Sequence, residues 1–361
     1  MTRTDLLPDA PTSPHDIEHP THEAVRDYYG RVLATSADLK TSACCPEESV
    51  PAHHKPVLAL LPDEILTRSY GCGSPLPAAL DGCRVVDLGC GTGRDVFVAS
   101  ALVGEEGTVI GVDMTDEQLA VARGHEDEHA RRLGYARPNT RFERGLIEDL
   151  GALGIADESV DVVISNCVLN LAPEKERVFR EIYRVLKPGG ELYFSDVFCD
   201  RRLPRAVRED AELVGECLGG ALYDEDFRRL MAGCGWLDVR TVASSRIEVE
   251  DVSIRRRLGT AQFTSKTIRA FKLTSLEDRC EDYGQVAYYR GGVEGMEDAF
   301  VLDDHHVFER DRPLLVCGNS AAMVDETRFG RFFDVVGDRS RHFGLFDCAP
   351  SESDEATASC C

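Results

Sequence analysis

The chain has 361 residues, and 64 acidic side chains against 41 basic ones give it a formal net charge of -23. Nucleic acids and anionic membranes bind basic protein surfaces, so this charge argues against both as partners. The first thirty residues lack the apolar core of a signal peptide, and no apolar run of about 18 residues could cross a bilayer. We therefore expect a cytoplasmic protein.

The chain opens with a segment that is predicted to lie outside any packed core. Residues 1–20 are rich in Pro, Asp and Thr and predict an arm, and residues 21–33 have the apolar spacing of a helix. Residues 60–75 predict a helix that passes into a loop ending at Pro75. We place the first boundary after this arm and helix, which together form residues 1–43.

From residue 83 onward, apolar runs alternate with amphipathic segments. Strands are predicted at 83–89, 107–113, 140–150 (with a loop), 160–168 and 190–198. Helices are predicted at 95–103, 115–134 and 174–190, the last of them stopped by Pro188 and Gly189. After a helix and loop at 225–239, strands at 241–249 and 263–273 complete a sheet of seven. This alternation indicates an α/β fold with a doubly wound, mostly parallel sheet.

Three further regions complete the predicted domain organisation. Residues 200–223 are interpreted as an insertion over the crevice of the main domain, which spans 44–275. Residues 276–347 have their own turns and aromatic side chains, with strands predicted within 282–291 and 305–318, and form a smaller C-terminal domain. The polar, acidic residues 348–361 predict a disordered tail that contains cysteines.

A glycine-rich turn follows the first strand of the sheet. Its glycines have the spacing G-x-G-x-G, not the G-x-G-x-x-G of a dinucleotide fold. Asp87 places a negative charge where a dinucleotide would place its pyrophosphate, so it suits a cationic ligand that carries an amino group. Asp113 ends the second strand and is well placed to bind ribose hydroxyls. The carboxyl ends of the strands bring five residues near one crevice: Asp87, Asp113, Glu148, Cys167 and Asp196.

These residues resemble the class I S-adenosylmethionine-dependent methyltransferases. Four of that superfamily's motifs match in order across residues 83–198: VVDLGCGTGRD, GVDMTDEQLAVAR, GLIEDL and FREIYRVLKPGGELYFSD. The resemblance implies a Rossmann-like sheet in which Asp87 and the first two glycines hold the methionine part. It also implies that Asp113 binds the ribose and that Glu148 lies beside the adenine. The cofactor contacts that it implies are Tyr70, Gly71, Asp87, Gly89, Cys90, Gly91, Thr92, Gly93, Asp113, Met114, Ile147, Glu148 and Asn166.

The methyl acceptor is indicated by the cysteines. The chain has 14 of them, and no two form a C-x-x-C pair. The chain is much longer than a disulfide-rich secreted domain and shows no export signal, so a disulfide framework is not indicated. They are therefore either core residues or a scattered set that meets in the fold. Cys167 stands at the mouth of the fourth strand, where a thiol suits a soft centre such as trivalent arsenic. The arsenic lone pair can attack a sulfonium methyl without losing a proton, so no general base is needed.

Four segments resemble the cysteine motifs of the arsenite S-adenosylmethionine methyltransferases: 37–45, 69–75, 165–171 and 215–222. Residues 281–291 and 302–319 resemble that family's C-terminal domain. The resemblance implies that Cys167 and Cys217 bind As(III), with Cys72 as the third thiol. It also implies that Cys44 pairs with Cys72 in a redox step, and that thioredoxin or glutathione reopens this pair. The implied substrates are arsenite and methylarsenite, free or as glutathione conjugates.

Two alternatives remain open at the level of sequence. One is a small-molecule O- or C-methyltransferase whose cysteines only pack. The other is a non-catalytic, thiol-based As(III) or metal binder that keeps a vestigial methyltransferase fold. The cysteines outside the four motifs that we assign to packing are Cys83, Cys90, Cys199, Cys234, Cys280 and Cys317.

Overall fold

The computed structural model describes residues 20–28, 51–69, 71 and 75–347, so Cys44, Tyr70, Cys72 and the 348–361 tail lie outside the described residues. No helix within the described ranges is both long enough and apolar enough to cross a membrane. The helices are α1 (Pro20–Asp27), α2 (Lys55–Leu58), α3 (Asp63–Thr67), α4 (Arg94–Val103), α5 (Asp116–Leu133), α6 (Lys175–Val185), α7 (Arg205–Arg208), α8 (Ala211–Gly215), α9 (Asp224–Gly233), α10 (Val252–Leu258) and α11 (Gly318–Asp325). The strands are β1 (Arg84–Leu88), β2 (Thr108–Asp113), β3 (Thr140–Arg144), β4 (Val160–Asn166), β5 (Leu186–Cys199), β6 (Leu222–Tyr223), β7 (Val239–Ile247), β8 (Phe263–Phe271), β9 (Glu281–Asp282), β10 (Gln285–Tyr289), β11 (Ala299–Val301), β12 (Val307–Glu309), β13 (Pro313–Val316), β14 (Phe333–Val336) and β15 (Gly344–Leu345).

The central sheet has the predicted doubly wound architecture. Seven strands follow the order β3-β2-β1-β4-β5-β8-β7, in which β3 to β5 are parallel and β8 and β7 are antiparallel additions. The eighth strand, β6, has two residues and pairs with the end of β5, and it was not predicted. The chain order reverses between β1 and β4. In open α/β sheets this is the point where ligands bind.

Apolar side chains cover both faces of the sheet. On β1, Val85 packs into a core with Phe97 of α4, whereas its neighbour Val86 packs into a second core with Phe179 of α6. This alternation follows from the two-residue period of a strand. Because helices bury both faces, the carboxyl edge of the sheet is left for the site.

The junction of α6 and β5 differs from the sequence prediction. Helix α6 ends at Val185, and β5 begins at Leu186, which pairs with Val160 of β4. We predicted a helix that is stopped by Pro188 and Gly189. Proline disfavours the α conformation in the residue before it, so the helix ends before Pro188 is reached, earlier than predicted.

The predicted insertion folds back onto the carboxyl edge of the sheet. Helices α7 and α8 lie within it, and Leu213 and Cys217 pack into an apolar cluster with Cys167. Helix α1 covers this cluster, since Val25 belongs to it and the Tyr28 hydroxyl donates to Glu216 Oε1 at 2.9 Å. The insertion and α1 therefore shield the thiols from solvent.

The C-terminal part contains a sheet in the order β13-β10-β14, with α11 packed beside it. A buried ion network joins this part to the main sheet. Glu191 of β5 is fully buried and contacts Arg269 of β8 and Arg328, which follows α11. The Arg269 guanidinium also donates to the carbonyl of Leu302. One carboxylate thus pairs with two cations, one from the main sheet and one from the C-terminal part.

We expect Glu191→Gln to destabilise the protein strongly, because it leaves two buried or half-buried guanidinium groups without their counter-charge. Breaking a buried pair in this way typically costs about 3–5 kcal/mol. Urea unfolding of the full chain measures the change. Glu209→Gln is the control, since Glu209 pairs with Arg205 through exposed side chains and should contribute little. Equal unfolding midpoints for the two variants would contradict this role of Glu191.

Candidate active site

A pocket opens at the carboxyl edge of the sheet, on both sides of the β1/β4 switch point. It encloses about 1020 Å³ of space including its open mouth. Most of the residues expected to contact the cofactor line it: Asp87, Gly89, Cys90, Gly91, Thr92, Asp113, Met114, Ile147, Glu148 and Asn166, together with Cys167. Two expected residues lie beside the pocket instead. Gly93 caps the N-terminus of α4, and Gly71 packs against the Asn166 side chain.

Three carboxylates converge on one side of this pocket. Burial, reinforced by the charges of Asp95 and Asp113, raises the pKa of Asp87 well above its usual value. Asp113 accepts hydrogen bonds from the N–H of Gly91 at 2.9 Å and the N–H of Thr115 at 2.8 Å, although burial still raises its pKa. The sequence analysis missed Asp95, which accepts from Asn166 Nδ2 at 3.0 Å. This cluster is stabilised by a ligand that brings positive charge.

The glycine-rich turn leaves space beside these carboxylates. Gly91 has a φ of +52°, and a Cβ added there would meet nothing within 4 Å. The backbone between β1 and α4 therefore forms an open cradle, which any side chain at this position would begin to fill. A buried acidic wall and an open backbone cradle together fit a cationic amino-acid group such as the methionine part of S-adenosylmethionine.

The other end of the pocket is closed by α1. His22 Nε2 lies 2.9 Å from Glu148 Oε1, and both side chains are buried. Ile147 lines the wall beside them. The sequence analysis did not find His22, because 126 residues separate it from Glu148 and no motif joins them.

Two of the four motif cysteines meet at the inner wall. Cys167 and Cys217 both have left-handed backbone conformations, with φ of 56° and 60°, and the Cys217 thiol donates to the Cys167 carbonyl at 3.5 Å. Cys167 lines the pocket, whereas Cys217 lies behind it and is fully buried. Cys167 is disulfide-bonded, and none of the other seven described cysteines forms a disulfide, so none of them is its partner.

A buried polar network fixes the loop that carries Cys167. The Asp196 carboxylate accepts from the N–H of Asn170 at 3.0 Å and from its Nδ2 at 2.7 Å. Lys175 Nζ donates to the carbonyls of Asn170 and Ala172. Burial raises the pKa of Asp196 to about 7 and lowers that of Lys175 to about 8. The carbonyl of Asn170 in turn lies so close to Gly220 that a Cβ there would meet it at 2.1 Å.

Comparisons with known proteins agree with this geometry. Residues 79–235 match the methyltransferase domain family, and residues 282–361 match the arsenite methyltransferase C-terminal domain. An arsenite methyltransferase of Aquipseudomonas alcaligenes is 55% identical over 326 residues, which are 90% of this chain and 94% of the relative. The chain belongs to the arsenite methyltransferase family. A human arsenite methyltransferase is 41% identical over 312 residues, 86% of this chain and 82% of the relative.

A solved member of the family has the same fold. The arsenic (III) S-adenosylmethionine methyltransferase of Chlamydomonas reinhardtii superposes with a TM-score of 0.80 at 50% identity, covering 82% of this chain and 100% of its own. Methyltransferases named for other acceptors match far less. A demethylmenaquinone methyltransferase of Lactococcus lactis is 37% identical over 113 residues, 31% of this chain and 41% of its own. Likeness to the arsenite methyltransferases thus extends through the insertion and the C-terminal part.

Most of the cysteines assigned to packing behave as buried core thiols in this member of the family. Burial raises the pKa of each of Cys83, Cys90, Cys199 and Cys234. Of these four, only Cys90 lines the pocket, where the charges of Asp113 and Asp87 raise its pKa further.

Proposed function

We propose that this chain transfers methyl groups from S-adenosylmethionine to thiol-bound trivalent arsenic. The observation that carries the proposal is the meeting of Cys167 and Cys217 at the wall of an acid-lined pocket. An O- or C-methyltransferase has no use for this pair, and the arsenite methyltransferases match the chain almost throughout. A purely arsenic-binding protein has no use for the buried carboxylates of the cradle.

In the proposed complex, Asp87 faces the ammonium group of the cofactor, Asp113 accepts the ribose hydroxyls, and Ile147 and Glu148 border the adenine. The pocket carries an excess of buried negative charge, which the positive cofactor would neutralise. When bound, S-adenosylmethionine supplies a methyl group on a sulfonium sulfur, a carbon open to attack by the arsenic lone pair. Helix α1 excludes water from this end of the pocket through His22 and Val25.

The thiols hold the substrate facing that methyl group. We infer that Cys167 and Cys217 ligate As(III), with Cys72 as the third ligand for inorganic arsenite. Thiolates are soft ligands that suit arsenic, and three of them leave its lone pair free. No proton has to leave arsenic before the As–C bond forms. The chain therefore needs to position the substrate, and no base is required of it.

Methyl transfer raises arsenic to the pentavalent state, so each round must be followed by a two-electron reduction. We propose that Cys44 and Cys72 supply these electrons by closing to a disulfide. Thioredoxin or glutathione, thiol reductants of the cytoplasm, would then reopen the pair. Because Cys167 is disulfide-bonded in the structure, its thiol must also be released before it can bind As(III).

The first test divides the four cysteines by substrate. Cys167→Ser and Cys217→Ser should abolish methylation of arsenite and of methylarsenite, because serine offers a hard, protonated oxygen in place of a soft ligand. Cys44→Ser and Cys72→Ser should lose activity on arsenite and keep part of it on methylarsenite, which already carries one carbon and needs only two protein thiols. Arsenic speciation after incubation with S-adenosylmethionine and a thiol measures both activities.

Cys234→Ser is the matched control for this test, since Cys234 is a buried free thiol outside the site and its loss should leave both activities intact. Methylation of methylarsenite by Cys167→Ser would show that this thiol is not a required ligand. Equal failure of all four variants on both substrates would show that the proposed division is wrong.

The second test concerns the acidic wall. Affinity for S-adenosylmethionine should rise with pH, because the raised pKa leaves Asp87 partly protonated at low pH and a cationic ligand must displace that proton. Asp87→Asn should flatten this dependence. At high pH it should weaken binding by roughly ten- to a hundredfold, the usual effect of losing one charged hydrogen-bonding partner.

Calorimetry at a series of pH values measures the affinity. Asp157→Asn serves as the control, since Asp157 is exposed and pairs with Arg184 away from the pocket. A wild-type affinity that does not change with pH, or an Asp87→Asn variant with the wild-type slope, would contradict the role proposed for Asp87.

A further inference from the structure

A second pair of thiols lies in the C-terminal part, away from the carboxyl-edge pocket. Cys317 directly follows β13 and is the N-cap residue of α11, and Cys280 directly precedes β9. The side chains of Cys280 and Cys317 are hydrogen-bonded to each other, and neither cysteine forms a disulfide bond. The sequence analysis assigned both residues to packing.

The surroundings of Cys317 favour its thiolate. Its Sγ accepts from the N–H of Ser320 at 3.4 Å and lies 3.3 Å from Ser320 Oγ, at the positive end of the helix. Arg240 Nη2 approaches the sulfur at 3.9 Å. The hydrogen bond from Cys280 and these donors outweigh burial and lower the pKa of Cys317 to about 5. Burial raises the pKa of the packing cysteines, so Cys317 behaves differently from them.

The donors around Cys317 are themselves held in place by ion pairs and hydrogen bonds. Arg240 is held by both Asp238 and Asp303, and Asp303 also contacts His306, whose Nε2 lies 3.3 Å from Ser320 Oγ. Arg240 belongs to β7 of the main sheet, whereas Asp303 and Cys317 belong to the C-terminal part. The thiol pair therefore stands at the junction of the two parts, in a rigid polar setting that a packing cysteine does not need.

Access to the pair is through Cys280. Cys317 is fully buried, but Cys280 is only half-buried, and its neighbours Asp278 and Arg279 are exposed. An electrophile can therefore meet the Cys280 sulfur first and then the thiolate behind it. A reactive thiolate with a second thiol in contact is the arrangement that chelates soft, thiophilic centres.

We propose that Cys280 and Cys317 form a second arsenic site, which binds a trivalent arsenical carrying one organic group. Such an arsenical, written R–As=O, takes up one proton from Cys280 and one from solvent. Two As–S bonds form, the oxygen leaves as water, and arsenic stays trivalent. Two protein sulfurs complete its coordination, so no third cysteine is needed. This inference does not depend on methyl transfer at the main pocket.

Phenylarsine oxide, which bridges two thiols, is the probe for this site. The reduced full-length protein is incubated with it, and native mass spectrometry counts the bound phenylarsenic groups. Cys280→Ser and Cys317→Ser should each bind one group fewer than the wild type, and Cys234→Ser should bind the same number. Serine is a preferred N-cap residue, so Cys317→Ser should keep α11 and the fold. Peptide mapping of the wild-type adduct should join the segments containing Cys280 and Cys317.

Wild-type numbers of bound groups in both the Cys280→Ser and Cys317→Ser variants would overturn the proposal, as would a wild-type adduct that joins neither cysteine. If circular dichroism shows that the Cys317→Ser variant does not fold, the Cys280→Ser variant alone decides the test. The Cys280 side chain is half-buried, so its replacement should leave the fold intact. Methylation of arsenite is measured in parallel and should persist in both variants. A wild-type protein that binds the probe here but methylates nothing would refute the proposed function and leave this site standing.

Discussion

The position of Cys167 and Cys217 at the wall of the pocket depends on one buried carboxylate. Asp196 holds both the backbone and the side chain of Asn170, and Lys175 holds the same turn from the other side. This turn fixes the loop in which Cys167 adopts its left-handed conformation, and the close approach of Gly220 seats the insertion that carries Cys217. A carboxylate and an ammonium group that are both costly to bury alone thus stabilise each other where the loop must not move.

The sequence predicted the parts of the fold that local patterns encode. The apolar run of β1 and the glycines after it define the sheet and the cradle, and strand ends place Asp87, Asp113 and Cys167 at one edge. Contacts between distant segments could not be predicted in this way. His22 reaches Glu148 across 126 residues, and Asp95 joins the acidic wall only because α4 begins beside it. Helix α11 was missed because its apolar residues cover all sides and show no amphipathic period.

The same limit explains the two C-terminal cysteines. A lone cysteine in an apolar sequence is usually a core residue, and Cys83 and Cys199 are of this kind. Nothing local distinguishes Cys317 from them. Its thiolate depends on the N–H groups of α11, on a guanidinium from β7 and on Cys280, which is 37 residues away (317 − 280). Reactivity is here a property of the junction between two parts of the molecule.

Buried acids serve two opposite purposes in this protein, and their partners distinguish the two. Glu191 meets Arg269 and Arg328, and Asp303 meets His306 and Arg240, which outweigh burial and lower the pKa of that carboxyl. These acids are paired with cations and join the C-terminal part to the sheet. Asp87 is buried beside Asp95 and Asp113, and burial together with these two charges raises its pKa instead. A cationic ligand in the pocket would favour the charged form of Asp87 and so stabilise the folded protein.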